Sequence, residues 1–600
     1  MRLKKPIVAV STVALLTLAA CGGSSTSGEG DGPTGPGPAS EDTEKAGNIQ
    51  GAAGAGKDDT RTDGPAPKID GAQSGGTMQV ISFSGLNSMD PTEAYYTNTA
   101  SILSSLVTRS LTQYVYDEES GDMILIPDIA TNLGTPNDDY TEWKFPLRDG
   151  VKYENGQEVT CEDVAFGIKR SFDRATFPEG ASYSNDYFLN GDTYKGPYKD
   201  GNQYDGVVCD GMTLTIKMDK PFPDMDYWGA FPAIGPIPEG KASDPAEYAQ
   251  HPLATGPYKF GDYTPEKALT LVKNPEWDPA TDPGRHQYVD EFDMQFDVAT
   301  AKIDQIMLQD QGDAQTTMSY DNIDVADYLQ FKSESADRLI VGSDPCTFMW
   351  FPDYRKIKEK EVRQALAYAY PYKDTYAALG LIEGVTRSYG TNIMPPGIPG
   401  REEYNPLPDH ELGATDPEKS KQLLADAGYQ PGEYTISFSY LTDDSSSVDS
   451  KDQIVAGLEA GGFKAKPVAT TIAESSTLRA DPNAPLNVRT GGWCSDWPSG
   501  GSWFPPVFQS NNVEEEGLGA NYAVFSEKAV DDKIAEIQQL PIEEQPAAWN
   551  EIDQMIQEEY FPVFVTGYGG VAMMRGSKVN GMEDDAVFGM PTWKDMWLSQ

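Results

Sequence analysis

The chain has 600 residues and a net charge of −47, with 93 acidic against 46 basic side chains. Nucleic acids and anionic lipid surfaces select for basic patches, so this balance argues against both as binding partners. With 31 Tyr, 22 Phe and 10 Trp, the chain reads as a globular, ligand-handling body.

Arg2, Lys4 and Lys5 open the sequence, and Ile7 to Ala20 is almost wholly apolar. That core is too short to span a bilayer as a stable helix and has the layout of a secretory signal. The closing run Leu18-Ala19-Ala20-Cys21 resembles the lipobox of bacterial lipoproteins. The resemblance implies that Cys21 is lipidated and anchors an extracytoplasmic protein to the outer face of the bacterial cell membrane. Gly, Ser, Thr, Pro, Asp and Glu then dominate as far as Ser74. Such a stretch cannot bury enough surface to offset its ordering entropy. Residues 22–75 are therefore expected to form a disordered tether, with an end-to-end distance of ~40 Å. No later apolar run approaches membrane-spanning length.

The body begins with a strand-like run from Thr77 to Phe83, leading to Asn87-Ser88-Met89-Asp90-Pro91. Thr141 to Leu147 alternates apolar and polar residues as a half-buried strand does, and Arg148-Asp149-Gly150 supplies a turn. Thr160-Cys161-Glu162-Asp163 has the form of a capping box, and Val164, Ile168 and Phe172 continue it as one apolar stripe. Val362, Ala365, Leu366 and Ala369 share another helical face. Asp416 and Pro417 have the residue types of an N-cap and first position, and Gly428 those of a C-cap. Strands and helices alternate without a repeat, as in α/β domains. Four cysteines besides Cys21 (Cys161, Cys209, Cys346 and Cys494) read as two disulfides in an exported chain, with three connectivities open. None lies in a Cys-x-x-Cys pair, so a metal or redox motif has no support.

The run from Leu147 through Tyr153, Thr160 and Asp163 to Arg170 resembles a signature of the solute-binding lipoproteins of peptide-class ABC importers. These are the family 5 extracellular solute-binding proteins, which include the oligopeptide- and dipeptide-binding proteins. Ser88 to Pro91, Ala254-Thr255-Gly256-Pro257-Tyr258, Asn274-Pro275-Glu276-Trp277, Val362 to Ala367 and Lys421 to Tyr429 match the family in order. The similarity covers essentially residues 76–600. It implies a two-lobed α/β fold of the periplasmic-binding-protein kind (type II, cluster C), with an extra subdomain in lobe I. The implied division is lobe I at 76–115 and 252–345, the subdomain at 116–251, lobe II at 346–568, and a return to lobe I at 569–600. It also implies ABC permease and ATPase subunits as partners, a monomer, and no cofactor.

Gly491-Gly492-Trp493-Cys494-Ser495-Asp496-Trp497-Pro498 matches the family's Trp-Cys-x-Asp-aromatic run, whose Asp pairs with the ligand's α-ammonium. Asp496 would take that role, since a cation enclosed in a closed cleft without a counter-charge costs several kcal/mol. Trp493 and Trp497 would wall the pocket. The chain departs from the family after Trp497-Pro498, where Ser499-Gly500 replaces the usual Asp-Pro. The resemblance further implies a Cys346–Cys494 disulfide, which leaves Cys161 and Cys209 for each other. Tyr95, Tyr96 and Asn98 fall where the family's first lobe contacts ligand backbone, and Arg489 is a candidate for a ligand carboxylate.

Other functions fit less well. The chain has no Gly-x-Ser-x-Gly pentad, and its only histidines, His251, His286 and His410, are isolated, so neither a serine hydrolase nor a zinc peptidase is supported. A nickel chelate, sugar or opine on the same scaffold is the alternative cargo, because fold does not fix ligand. The expectation is a non-enzymatic oligopeptide-binding lipoprotein that captures peptides between hinged lobes.

Overall fold

A computed structural model describes residues 56–407, 409–513 and 517–600. The signal segment, Cys21 and residues 22–55 of the expected tether lie outside them. No helix among the described residues is long and apolar enough to cross a membrane.

The first lobe is built on a five-stranded sheet in the order Thr317–Ser319, Thr77–Ile81, Glu291–Gln295, Ala268–Lys273, Tyr258–Thr264. Thr77–Ile81 runs parallel to both of its neighbours, and its alternate residues Met78 and Val80 are fully buried. Beside it, Thr135–Pro136, Glu142–Pro146, Thr213–Lys217 and Val207–Asp210 form a separate four-stranded sheet. Here Trp143 and Phe145 point inward while Lys144 between them is exposed, the expected period of two. Thr160 and Asp163 close a reciprocal capping box on the helix Cys161–Arg170. The Cys161–Cys209 disulfide pins that helix to the strand Val207–Asp210.

The second lobe centres on a sheet in the order Arg387–Ser388, Phe564–Met574, Leu339–Pro352, Val488–Cys494. Two of these strands are long enough to serve both lobes. Leu339 to Ser343 pair with Met574 to Gly570, and Thr347 to Trp350 pair with Tyr568 to Phe564, with the register broken between. At the near end Met318 of the first-lobe sheet bridges to Arg575. The positions at which the sequence resemblance divides the lobes, 346 and 568, fall inside these strands. After them the chain returns to the first lobe, where Trp593 Nε1 donates to Ser101 Oγ at 3.0 Å.

One expectation needs correction. Residues 56–75, assigned to the tether, lie as a strap against the first lobe. Gly56–Lys57 adds a short parallel strand to Asp122–Pro127. Arg61 Nε donates to Pro283 O at 3.1 Å, and Arg148 Nη2 donates to Thr62 O. His286 Nε2 lies 2.8 Å from Pro67 O, and Gly75 N donates to Tyr288 O at 2.9 Å. Composition missed the strap because it is held largely through backbone carbonyls and amides, with Ala66 as its one buried apolar side chain. A count of apolar residues does not register such contacts.

Candidate functional site

Two pieces of the sequence signature meet to set one wall of the site. Arg170, at the end of its helix, grips Asp90 through two bonds of 2.9 and 2.6 Å and also donates to Thr92 Oγ1 at 2.7 Å. All three side chains are buried. A bidentate guanidinium–carboxylate pair fixes direction as well as distance, and here it orients the loop that ends at Tyr95. A second tyrosine, Tyr183, opens the short helix Tyr183–Tyr187 and stacks on Phe222.

The facing wall comes from the second lobe. The strand Val488–Cys494 lies beside the long strand with Cys494 directly opposite Cys346, and the two are joined by a disulfide. Ser495 N donates to Pro345 O at 2.9 Å, and Trp503 Nε1 donates to Ser495 Oγ, so the loop leaves the strand in a fixed direction. Asp496 is the next residue. Tyr95 OH donates to its Oδ1 at 2.6 Å, and Tyr183 OH donates to its Oδ2.

Asp496 thus spans the gap between the lobes, with a phenol on each oxygen and no cation paired to it among the described residues. Burial pushes its carboxyl up to about 6, against the opposing pull of the two hydroxyl bonds. A desolvated carboxylate satisfied only by neutral donors is a strong electrostatic trap for a positive charge.

Trp497 does not wall an open pocket. It is buried within the first lobe's aromatic cluster, with ring centroids 4.7 Å from Tyr183, 5.9 Å from Phe222 and 6.4 Å from Phe231. Its Nε1 donates to Asp224 Oδ2 at 2.9 Å. The side chain is a wedge driven from one lobe into the other. Trp493 packs on the edge of a second-lobe core and donates to Ser502 O at 2.8 Å.

The three other candidates can be placed. Arg489 is fully buried and its two terminal nitrogens are committed to Asp353 Oδ2 at 3.2 Å, Tyr522 O at 3.3 Å and Asp481 O at 2.9 Å, so its fork is spent inside the second lobe and only its buried Nε is left without a partner among the described residues. Asn98 spends its side-chain oxygen on Thr99 N at 2.8 Å, and Tyr96 sits half-buried at the start of the helix Thr97–Ile102. Of the three first-lobe candidates, only Tyr95 reaches Asp496.

Sequence reasoning passed over Arg387. Its guanidinium carbon lies 3.4 Å from the centroid of the Phe348 ring, burial pulls its pKa down, and its Nε has no hydrogen-bond partner among the described residues. Glycines make room for it. A Cβ on Gly567 would lie 2.7 Å from Arg387 Cδ, and one on Gly569 would lie 2.8 Å from Asp344 Cγ. Asp344, whose carboxyl burial pushes up to about 6 against the pull of Arg387, has an oxygen within 4.8 Å of the sulfurs of Cys346 and Cys494. That trio has metal-like spacing, but the sulfurs are spent in the disulfide. The histidines sit apart, His251 beside Glu154, His286 between Asp595 and Pro67, and His410 against Ala414.

A model of bacterial extracellular solute-binding proteins, family 5 Middle, matches residues 125–515. Heme-binding protein A of Haemophilus influenzae is 24% identical over 458 residues, 71% of this chain and 76% of that protein. The periplasmic oligopeptide-binding protein OppA of Salmonella typhimurium is 24% identical over 301 residues, 49% of this chain and 53% of that one. Among solved structures, clavulanic acid biosynthesis oligopeptide binding protein 2 superposes with a TM-score of 0.81 at 21% identity, covering 88% of this chain and 96% of that one.

Proposed function

Because the chain belongs to the family 5 bacterial extracellular solute-binding proteins, we propose that it captures oligopeptides between its lobes and delivers them to an ABC importer. One observation carries the peptide reading. Asp496, a half-buried, desolvated carboxylate at the contact between the lobes, holds two phenols and, among the described residues, no counter-ion. The α-ammonium of a peptide is the ligand group that this arrangement favours. Tyr95 and Tyr183 orient the carboxylate from the first lobe, so a ligand bound there bridges both lobes and shifts the open–closed equilibrium.

Arg387 takes over the role first assigned to Arg489. Its unpartnered Nε and its flat seat on Phe348 suit the terminal carboxylate of the same ligand. The heme-binding relative shows that cargo varies on this scaffold. A carboxylate trap without a cation disfavours an acidic cargo and favours one bearing an amine. In this reading no reaction is catalysed. Cys21 carries the lipid anchor, the permease and ATPase subunits are the partners, and the protein acts as a monomer outside the cell membrane.

A binding competition tests the proposal. The full chain is exposed to a random tetrapeptide library and to the same library N-acetylated. Retention of the free-amine library alone is expected. Equal retention of both would refute the reading of a free N-terminus, and retention of neither would refute peptides as cargo.

A further inference from the structure

Lys57 lies where the strap passes next to the contact between the lobes. Its Nζ is 2.7 Å from Asp226 Oδ2 and 3.9 Å from the centroid of the Tyr227 ring. Asp226 belongs to the single helical turn Met225–Trp228, which begins after Asp224. Asp224 in turn accepts the indole N–H of Trp497 from the second lobe. Two buried carboxylates two residues apart repel one another unless a cation sits beside them. Among the described residues, Lys57 is the cation that pairs there. Burial alone would lower its ammonium pKa, but Asp226 outweighs that and raises it. The cross-lobe approach is tight, since a Cβ on Gly501 of the second lobe would run into Asp224 Oδ2.

We propose that Lys57 is a positioning residue for lobe closure: paired with Asp226, it holds the Met225–Trp228 turn so that Asp224 meets Trp497. The strap is then part of the capture device as well as part of the chain leading to it. This rests on the reading that the two lobes close on ligand. The strap's other bonds, through Arg61, Thr62, Pro67 and Gly75, do not involve Lys57. A change at Lys57 therefore acts on the turn while the strap stays docked.

Hydrogen exchange of the ligand-free full chain tests the proposal. Lys57→Met is expected to raise exchange about five- to tenfold across residues 495–503 and 222–229. Residues 259–295 of the first-lobe sheet should not change, and Lys57→Arg should restore protection. Gly501→Val blocks the same contact from the other lobe and should reproduce the Lys57→Met pattern with the strap intact. Unchanged exchange at 495–503 in Lys57→Met would overturn the proposal. So would loss of protection throughout the first lobe, which would make Lys57 merely structural. Peptide affinity measured in parallel separates the two readings. A wild-type chain that bound no peptide would refute the cargo, while the exchange comparison would still decide Lys57.

Discussion

Replacing Asp496 by Asn keeps the shape of the side chain and removes its charge. At neutral pH the empty protein holds this carboxylate ionised although its pKa has been pushed from 3.8 to about 6. That shift corresponds to a penalty of ~2–3 kcal/mol for the empty closed form, allowing for its partial contact with solvent. Asp496→Asn relieves the penalty, so the ligand-free variant should be no less stable than wild type. Binding should move the other way. An α-ammonium enclosed against a neutral amide loses its counter-charge, and breaking such a buried pair costs ~3–5 kcal/mol. Each 1.4 kcal/mol is about tenfold in Kd, so affinity should fall by two to three and a half decades. Calorimetric titration of the full-length protein with a bound-library tetrapeptide, alongside a thermal scan of the empty protein, reads both effects. Peptide affinity within about threefold of wild type would refute the reasoning. A matching collapse of thermal stability would show that Asp496 supports the fold and not the ligand.

Three other outcomes follow from the same geometry. Empty-state Asp496 has a raised pKa, so its contribution to the closed empty form is fully present below its unfolded value near 4 and lost as pH rises through 6. A bound ammonium depresses that pKa, so peptide affinity should climb with pH, with Kd about tenfold weaker at pH 5 than at pH 7. Asp224, Asp344 and Asp585 also sit near 6; the difference between wild type and Asp496→Asn therefore isolates the Asp496 part. Trp497→Ala empties a buried site worth ~3–5 kcal/mol that is filled only when the lobes meet. Peptide affinity should drop about a hundredfold or more, and small-angle scattering should show a more open ligand-free chain. Arg387→Gln should weaken free-acid peptides by about ten- to a hundredfold and leave C-terminally amidated peptides nearly unaffected, as paired titrations would show.

Local signals were read correctly where the physics was local. Thr160 and Asp163 cap a helix three residues apart, and Asp416 caps the helix Pro417–Asp426 through Lys419 N. Trp143 and Phe145 alternate into a core as their spacing predicts. The site was only partly legible, because its contacts join residues far apart in the chain. Tyr183 meets Asp496 across 313 positions, and Asp224 meets Trp497 across 273. No pattern around Tyr183 or Asp224 marks that meeting. Arg489 was misread for the same reason, since its partner Asp353 lies 136 residues away. The strap was hidden by its composition. Arg387 could have been found from the glycines of the strand Phe564–Met574, which leave room above the sheet for a flat cation.

The central claim, that this protein carries peptides by their free amino terminus, is tested most directly by what it holds when purified. Native mass spectrometry of the full-length chain from its natural secretion route should release a mixture of masses that fragment as short peptides with unblocked N-termini. A single non-peptide mass, or peptides whose N-termini are uniformly blocked, would contradict it.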